Sequence, residues 1–171
     1  MGWSCISSDD WSAGQVSGSV ELAKSEKTTW DGKPISPEAP YGATVVVYRQ
    51  NQGQREYLIL HRAFNDPSYE GDWAWTPPSG ARYPGEPIAA CAVRELEEET
   101  GLVLEVVPTP HGTADWHVYV AEAGMTDEVV LGVEHDRYKW VTLEEAVRRC
   151  QPELVSAPIW RTGGEHECRL E

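Results

Sequence analysis

Two β-prone runs, Ala43 to Arg49 and Glu56 to Arg62, are separated by a polar turn that contains Gly53, which predicts a hairpin. The periodicity then changes. Pro87 suits the start of a helix and Gly101 the residue just past its end, so the stretch between them predicts a helix of about fourteen residues. Four more β-prone runs follow, Val103 to Val107, Trp116 to Ala121, Val129 to Val133 and Tyr138 to Val141, with turn residues between them. Thr142 with Glu145 forms a capping-box signature for a second helix through about Cys150. Residues 1–40 are rich in Ser, Gly, Pro, Lys and Glu, with weak periodicity, and predict an arm or irregular strands. Residues 159–171 are expected to form a C-terminal tail, loose from Gly163 onward. There is no internal repeat.

Within the first helix, Glu95, Glu98 and Glu99 are spaced i, i+3 and i+4 and so share one sector, with Cys91 and Ala92 one turn earlier. Ala89, Val93, Leu96 and Thr100 make a second, mostly apolar sector suited to packing on a sheet, which leaves Ala90 and Glu97 for solvent. Three like charges on adjacent turns weaken an isolated helix, so the cluster calls for a compensating cation or a purely solvated role. Hard carboxylate oxygens suit magnesium or manganese, which complete their shells with water and substrate phosphates.

The helix belongs to a longer pattern: Gly80, five residues, Glu86, seven residues, then Arg94, Glu95, Leu96, Glu97, Glu98, Glu99, Thr100, Gly101, Leu102. This resembles a complete Nudix box. The resemblance implies an α/β fold, the Nudix α/β/α sandwich with a mixed β-sheet between helices, over residues 41–158. It also implies a metal-dependent hydrolase that cleaves a diphosphate linkage in a nucleoside diphosphate derivative, with Mg2+ or Mn2+ as cofactor. Glu95, Glu98 and Glu99 match the family's metal-binding glutamates, one of which can instead activate the attacking water. Arg94 matches the arginine that orients a box glutamate, and its helix position puts Glu98 in reach at i+4. Glu86 matches the supporting outlying glutamate. Trp75, Thr76, Pro77, Pro78, Ser79 and Gly80 resemble the family's lead-in, with Ser79 where a glycine whose carbonyl can ligate metal is usual.

A second stretch, Glu134, His135, Asp136, Tyr138, Trp140, Val141 and then Leu143 to Ala146, resembles the region after the box in diadenosine polyphosphate hydrolases. That resemblance implies one more carboxylate, with Glu134 preferred over Asp136 and Glu128, and gives a slight preference for a dinucleoside polyphosphate or related nucleotide. His135 is a candidate acid or base. Arg62, Trp75, Arg82 and Tyr138 are expected to bind substrate, and Trp73, Tyr83, Trp116 and His117 are further candidates for stacking or phosphate contact.

Charge narrows the partners. With 14 basic and 28 acidic residues the formal net charge is −14, which opposes attraction to a nucleic-acid polymer or an anionic membrane. A small nucleotide is compatible, because bound metal reverses the local field. Cys5, Cys91, Cys150 and Cys168 are scattered without zinc-site spacing and read as free thiols in a reducing, cytoplasmic compartment. No apolar run is long enough for a signal peptide or a membrane span. A homodimer is left open. Two alternatives use the same fold, a ligand-sensing Nudix module and a diphosphate isomerase, and metal-dependent release of phosphate or nucleotide separates both from a hydrolase. The chain has no GxSxG, GxxxxGK[ST] or HExxH motif.

Overall fold

The computed structural model describes residues 27–29, 31–63 and 66–167, the last three by backbone alone, so residues 1–26 and 30 of the arm expected over 1–40 lie outside them. The hairpin forms as β1 (Gly42–Asn51) and β2 (Gln54–Arg62), which pair antiparallel. Its turn places Gln52 and Gly53 at φ 50° and 83°, a left-handed conformation that glycine adopts without a Cβ penalty. Then come β3 (Trp75–Thr76), β4 (Ser79–Ala81), α1 (Ile88–Thr100), β5 (Val107–Pro108), β6 (Trp116–Ala123), β7 (His135–Val141), α2 (Leu143–Arg149) and α3 (Glu153–Glu167). The sheet runs β3-β2-β1-β6-β5, with β4 also on β1 and β7 also on β2. The β1–β6 pair is parallel and the rest are antiparallel, so the sheet is mixed.

Strand alternation divides the core into two layers. Ala43, Val45 and Val47 of β1 and Leu58 and Leu60 of β2 pack with Cys91, Ala92 and Leu96 of α1. Val46, Tyr57 and Ile59 face the other way, onto Leu143 and Ala146 of α2 and Val155 and Ile159 of α3. The α/β/α sandwich follows directly from that period of two.

Three expectations change. Residues 129–133 form no strand; Val130 N–H donates to Thr100 O at 2.8 Å and Gly132 N–H to Glu99 O at 3.1 Å. The carbonyls at the end of α1 lack helical partners, and this segment satisfies them instead of joining the sheet. Of the run from Val103, only Val107 and Pro108 pair, and Val103 is 77% exposed. The chain beyond residue 158 is no loose tail there: α3 continues through Glu167, with Ile159 and Thr162 buried. Pro158 and two glycines mask this helix in the sequence. Gly163 earns its place by contact, since a Cβ there would lie 2.6 Å from Leu143 and 2.9 Å from the Tyr57 hydroxyl.

On α1 the buried positions are Cys91, Ala92, Glu95, Leu96, Glu99 and Thr100, while Ala89 and Val93 are exposed. The sheet-facing sector is thus rotated from the apolar sector expected from sequence, and two glutamates lie within it. Gly101, at φ 68°, caps the helix and its N–H donates to Glu97 O.

Candidate active site

Arg94 is the hub of the box. Its Nε and Nη2 donate to the two Glu86 oxygens at 2.8 and 3.0 Å, a two-pronged pair. Nη1 donates to Glu95 at 2.6 Å and Glu98 at 3.2 Å, and Nη2 also reaches Ala81 O at 2.9 Å. The Tyr83 ring lies 3.9 Å from the guanidinium carbon. Burial would raise the Glu86 carboxyl, but the Arg94 hydrogen bonds and charge, with the Tyr83 N–H, hold it below the usual range. Glu86 is therefore the counter-ion of Arg94.

Glu95 and Glu99 face inward. Burial pushes Glu95 up against the opposing pull of Arg94, and burial with the Glu95 charge pushes Glu99 well above an ordinary glutamate. Glu99 accepts one hydrogen bond from Ser79 N–H at 3.1 Å. Gly80 explains how the helix comes so close: a Cβ there would stand 2.1–2.3 Å from the Glu95 carboxylate atoms. Gly132 does the same on the other side, where a Cβ would meet Glu98 O at 2.3 Å. That close approach carries Glu134 to the cluster, and its charge contributes to the upward shifts of both Glu95 and Glu99.

A cavity of about 220 Å³ results, lined by Asp31, Lys33, Glu95, Glu98, Glu99, Gly132, Val133 and Glu134. Its donors are carboxylate oxygens, two of which resist ionising unless a cation joins them. That donor set fits a hard divalent ion. Among the described residues no three carboxylate, imidazole or thiol groups already converge on one point. Magnesium needs few protein ligands, and Glu95 and Glu98 are tied to Arg94, so the fit rests on chemistry and charge rather than a finished cage. Ser79 lies in extended β4 and presents its N–H to Glu99; it lines the neighbouring cavity, not this one.

That neighbouring cavity, about 700 Å³, opens between the sheet and α3. Arg62, Trp73, Ser79, Trp116 and Arg161 are among its walls. Arg62 has a buried Nε with no hydrogen-bond partner. Trp116 is anchored by its indole N–H to the Thr44 hydroxyl at 2.9 Å. Trp73 stands at φ 65°, an outlier for a bulky residue, and is 46% exposed.

Three residues expected to bind substrate line neither cavity. Trp75, on β3, is fully buried, with its indole N–H donating to Glu70 at 2.7 Å and its ring edge-on to His61. It is a core residue. Arg82 donates to Ser36 Oγ, Glu38 O and Glu86 O at 2.8, 2.6 and 3.2 Å and lines neither cavity. It is a strut. Tyr138 is opposite Leu60 on β7, 40% exposed and away from both cavities. Asp136 is spent on His61 Nδ1 at 2.8 Å, and Glu128 lies outside the cluster. His135 is buried with no partner on either ring nitrogen, and burial with the Arg62 charge pushes it down to about 4. It is neutral near pH 7. Arg161, Asp31 and Lys33 were not legible as site residues: the first sits on the helix hidden by Pro158, the others on the arm.

The NUDIX domain profile matches residues 40–159. The chain belongs to the Nudix family. Its Nudix domain is 30% identical over 118 residues to the asymmetrical bis(5'-nucleosyl)-tetraphosphatase of Caenorhabditis elegans, covering 62% of this chain and 81% of that one. It is also 34% identical over 111 residues to the RNA pyrophosphohydrolase of Dinoroseobacter shibae, covering 61% and 67%. The Nudix fold superposes on the C. elegans Ap4A hydrolase with a TM-score of 0.58 at 24% identity, covering 74% of this chain and 96% of that one. This Nudix protein is accordingly a pyrophosphohydrolase acting on phosphorus-containing acid anhydrides, in a family that generally uses divalent metal ions. No described helix is long and apolar enough to cross a membrane.

Proposed function

We propose that the protein hydrolyses a dinucleoside polyphosphate or related nucleotide with Mg2+ or Mn2+ bound by Glu95, Glu98 and Glu99. The observation that carries this reading is that Glu95, Glu98, Glu99 and Glu134 line one cavity beside a larger cleft walled by Arg62 and Trp116. The name of the C. elegans relative supports the substrate class.

A divalent ion bound there would polarise a phosphoryl oxygen and acidify a coordinated water. The chain's own residues do the rest. Arg94 holds Glu95 and Glu98, and Ser79 N–H holds Glu99, so the three carboxylates are tethered beside the cavity. Glu134, on the loop anchored through its carbonyl to Ala63 N–H at 2.8 Å, is the preferred acceptor for the attacking water's proton. Arg62 offers a cation to phosphate and Trp116 a face for a base.

A screen of dinucleoside polyphosphates, nucleoside triphosphates, sugar nucleotides, ADP-ribose and NADH tests the proposal by magnesium-dependent release of a mononucleotide or phosphate. Oxygen-18 water then identifies the attacked phosphorus. Glu98→Gln and Glu99→Gln should each lower kcat by several orders of magnitude; wild-type turnover in both at saturating magnesium would sink the metal assignment.

A further inference from the structure

The family profile begins at residue 40, yet two residues that line the carboxylate cavity, Asp31 and Lys33, precede it. We propose that Lys33 binds a phosphate oxygen of the substrate over Glu95, Glu98, Glu99 and Glu134, so that the segment before the family domain completes the substrate site. The inference rests on the hydrolase reading for the site it serves.

The segment is fastened, not merely adjacent. Ile35 N–H donates to Lys27 O at 2.8 Å, Thr29 N–H to Lys33 O at 2.8 Å, and Lys33 N–H to Thr29 Oγ1 at 3.0 Å. Buried Ser36 ties this turn to the box: its N–H donates to Arg82 O at 2.7 Å and its hydroxyl accepts from Arg82 Nη2 at 2.8 Å. Arg82 in turn donates to Glu86 O at 3.2 Å, so hydrogen bonds join the arm to the Nudix loop.

Charge then selects the ligand. Lys33 is the sole cationic side chain among the described residues lining this cavity, against five carboxylates. Arg94 cannot serve, because Glu86, Glu95, Glu98 and Ala81 O occupy its donors. The Lys33 ammonium has an Asp31 oxygen at 3.2 Å and lies 5.6 Å from the Tyr83 ring centroid, with its side chain 48% exposed. Three ammonium donors outnumber those two partners, leaving one for a phosphate oxygen. Once metal neutralises the carboxylates, a fixed lysine beside them favours phosphate as a point charge.

The test uses the full chain with Lys33→Met, Lys33→Arg and, as a distant charge control, Arg148→Met on the exposed face of α2. Steady-state kinetics with a dinucleoside polyphosphate and magnesium are paired with calorimetric binding of inorganic pyrophosphate plus magnesium. Lys33→Met should raise KM and weaken pyrophosphate binding about tenfold, the size of one charge-assisted hydrogen bond, with kcat and the half-maximal magnesium concentration little changed. Lys33→Arg should restore most of the loss, and Arg148→Met should match wild type. Unchanged KM and pyrophosphate affinity in Lys33→Met would overturn the inference while leaving the hydrolase reading intact. A lowered magnesium requirement at unchanged KM would also overturn it, by making Lys33 an internal counter-ion. If wild type turns over nothing but Lys33→Met still weakens pyrophosphate binding, Lys33 stands and the hydrolase reading falls; if wild type neither turns over nor binds, both fall.

Discussion

Glu99 stands on the buried face of α1 because the box glutamates serve two purposes, filling the helix–sheet interface and facing the cavity. A carboxyl whose pKa is raised on folding binds its proton more tightly in the folded state. Its contribution to stability is complete below the unfolded value, near 4.5, and is lost as pH rises through the higher folded value. In metal-free protein, Glu99→Gln should therefore raise Tm at pH 8, with the gain shrinking toward pH 4; thermal melts in chelator across that range measure it. Equal gains at both ends would show that the carboxyl is not strained by burial. Gly80 gives a second residue-scale prediction. A methyl group there must displace the Glu95 carboxylate, the far end of a flexible side chain, so Gly80→Ala should lower kcat/KM at least tenfold while costing little stability. Chemical denaturation and steady-state kinetics on one preparation read both.

Among the elements, α3 differs most from expectation. Pro158, Gly163 and Gly164 argue against a helix by propensity, yet packing against Tyr57 and Leu143 overrides them. The helix also walls the larger cavity through Leu154 and Arg161. Ile159, 1% exposed, is the anchor: Ile159→Ala should cost about 2–5 kcal/mol, as for a buried aliphatic truncation, visible as a shifted denaturant midpoint. A midpoint within error of wild type would place α3 outside the folded core. The segment 129–133 is the second element whose role changed. Its β-prone valines read as a strand, but its N–H groups go to the end of α1, and that choice delivers Glu134 to the site.

For the whole molecule, the acidic cavity links folding to metal. Mutual repulsion among Glu95, Glu98, Glu99 and Glu134 costs stability until a cation is bound. Magnesium should raise Tm by mass action, increasing with concentration, and the rise should be much smaller in Glu98→Gln. Calorimetric melts with and without chelator check this; a Tm indifferent to magnesium and manganese would contradict the site. Turnover should also rise toward alkaline pH, because a carboxylate must take the proton of a water that magnesium acidifies only modestly.

The linear chain alone determined what is local. The bounds of α1, its Gly101 cap, the i, i+3, i+4 carboxylates and the Thr142 cap of α2 are consequences of spacing within a few residues. The β1–β2 hairpin and the two-faced sheet follow likewise from short-range alternation. The tertiary structure decided every choice that depends on distant partners. It buried Trp75 under Glu70 and His61, turned Arg82 into a strut to Ser36, and set Asp136 on His61 rather than in the cavity. It also brought Lys33 to glutamates more than sixty residues away. The physical reason is that a side chain's type fixes which bonds it can make, whereas packing fixes which partner is close enough to make them.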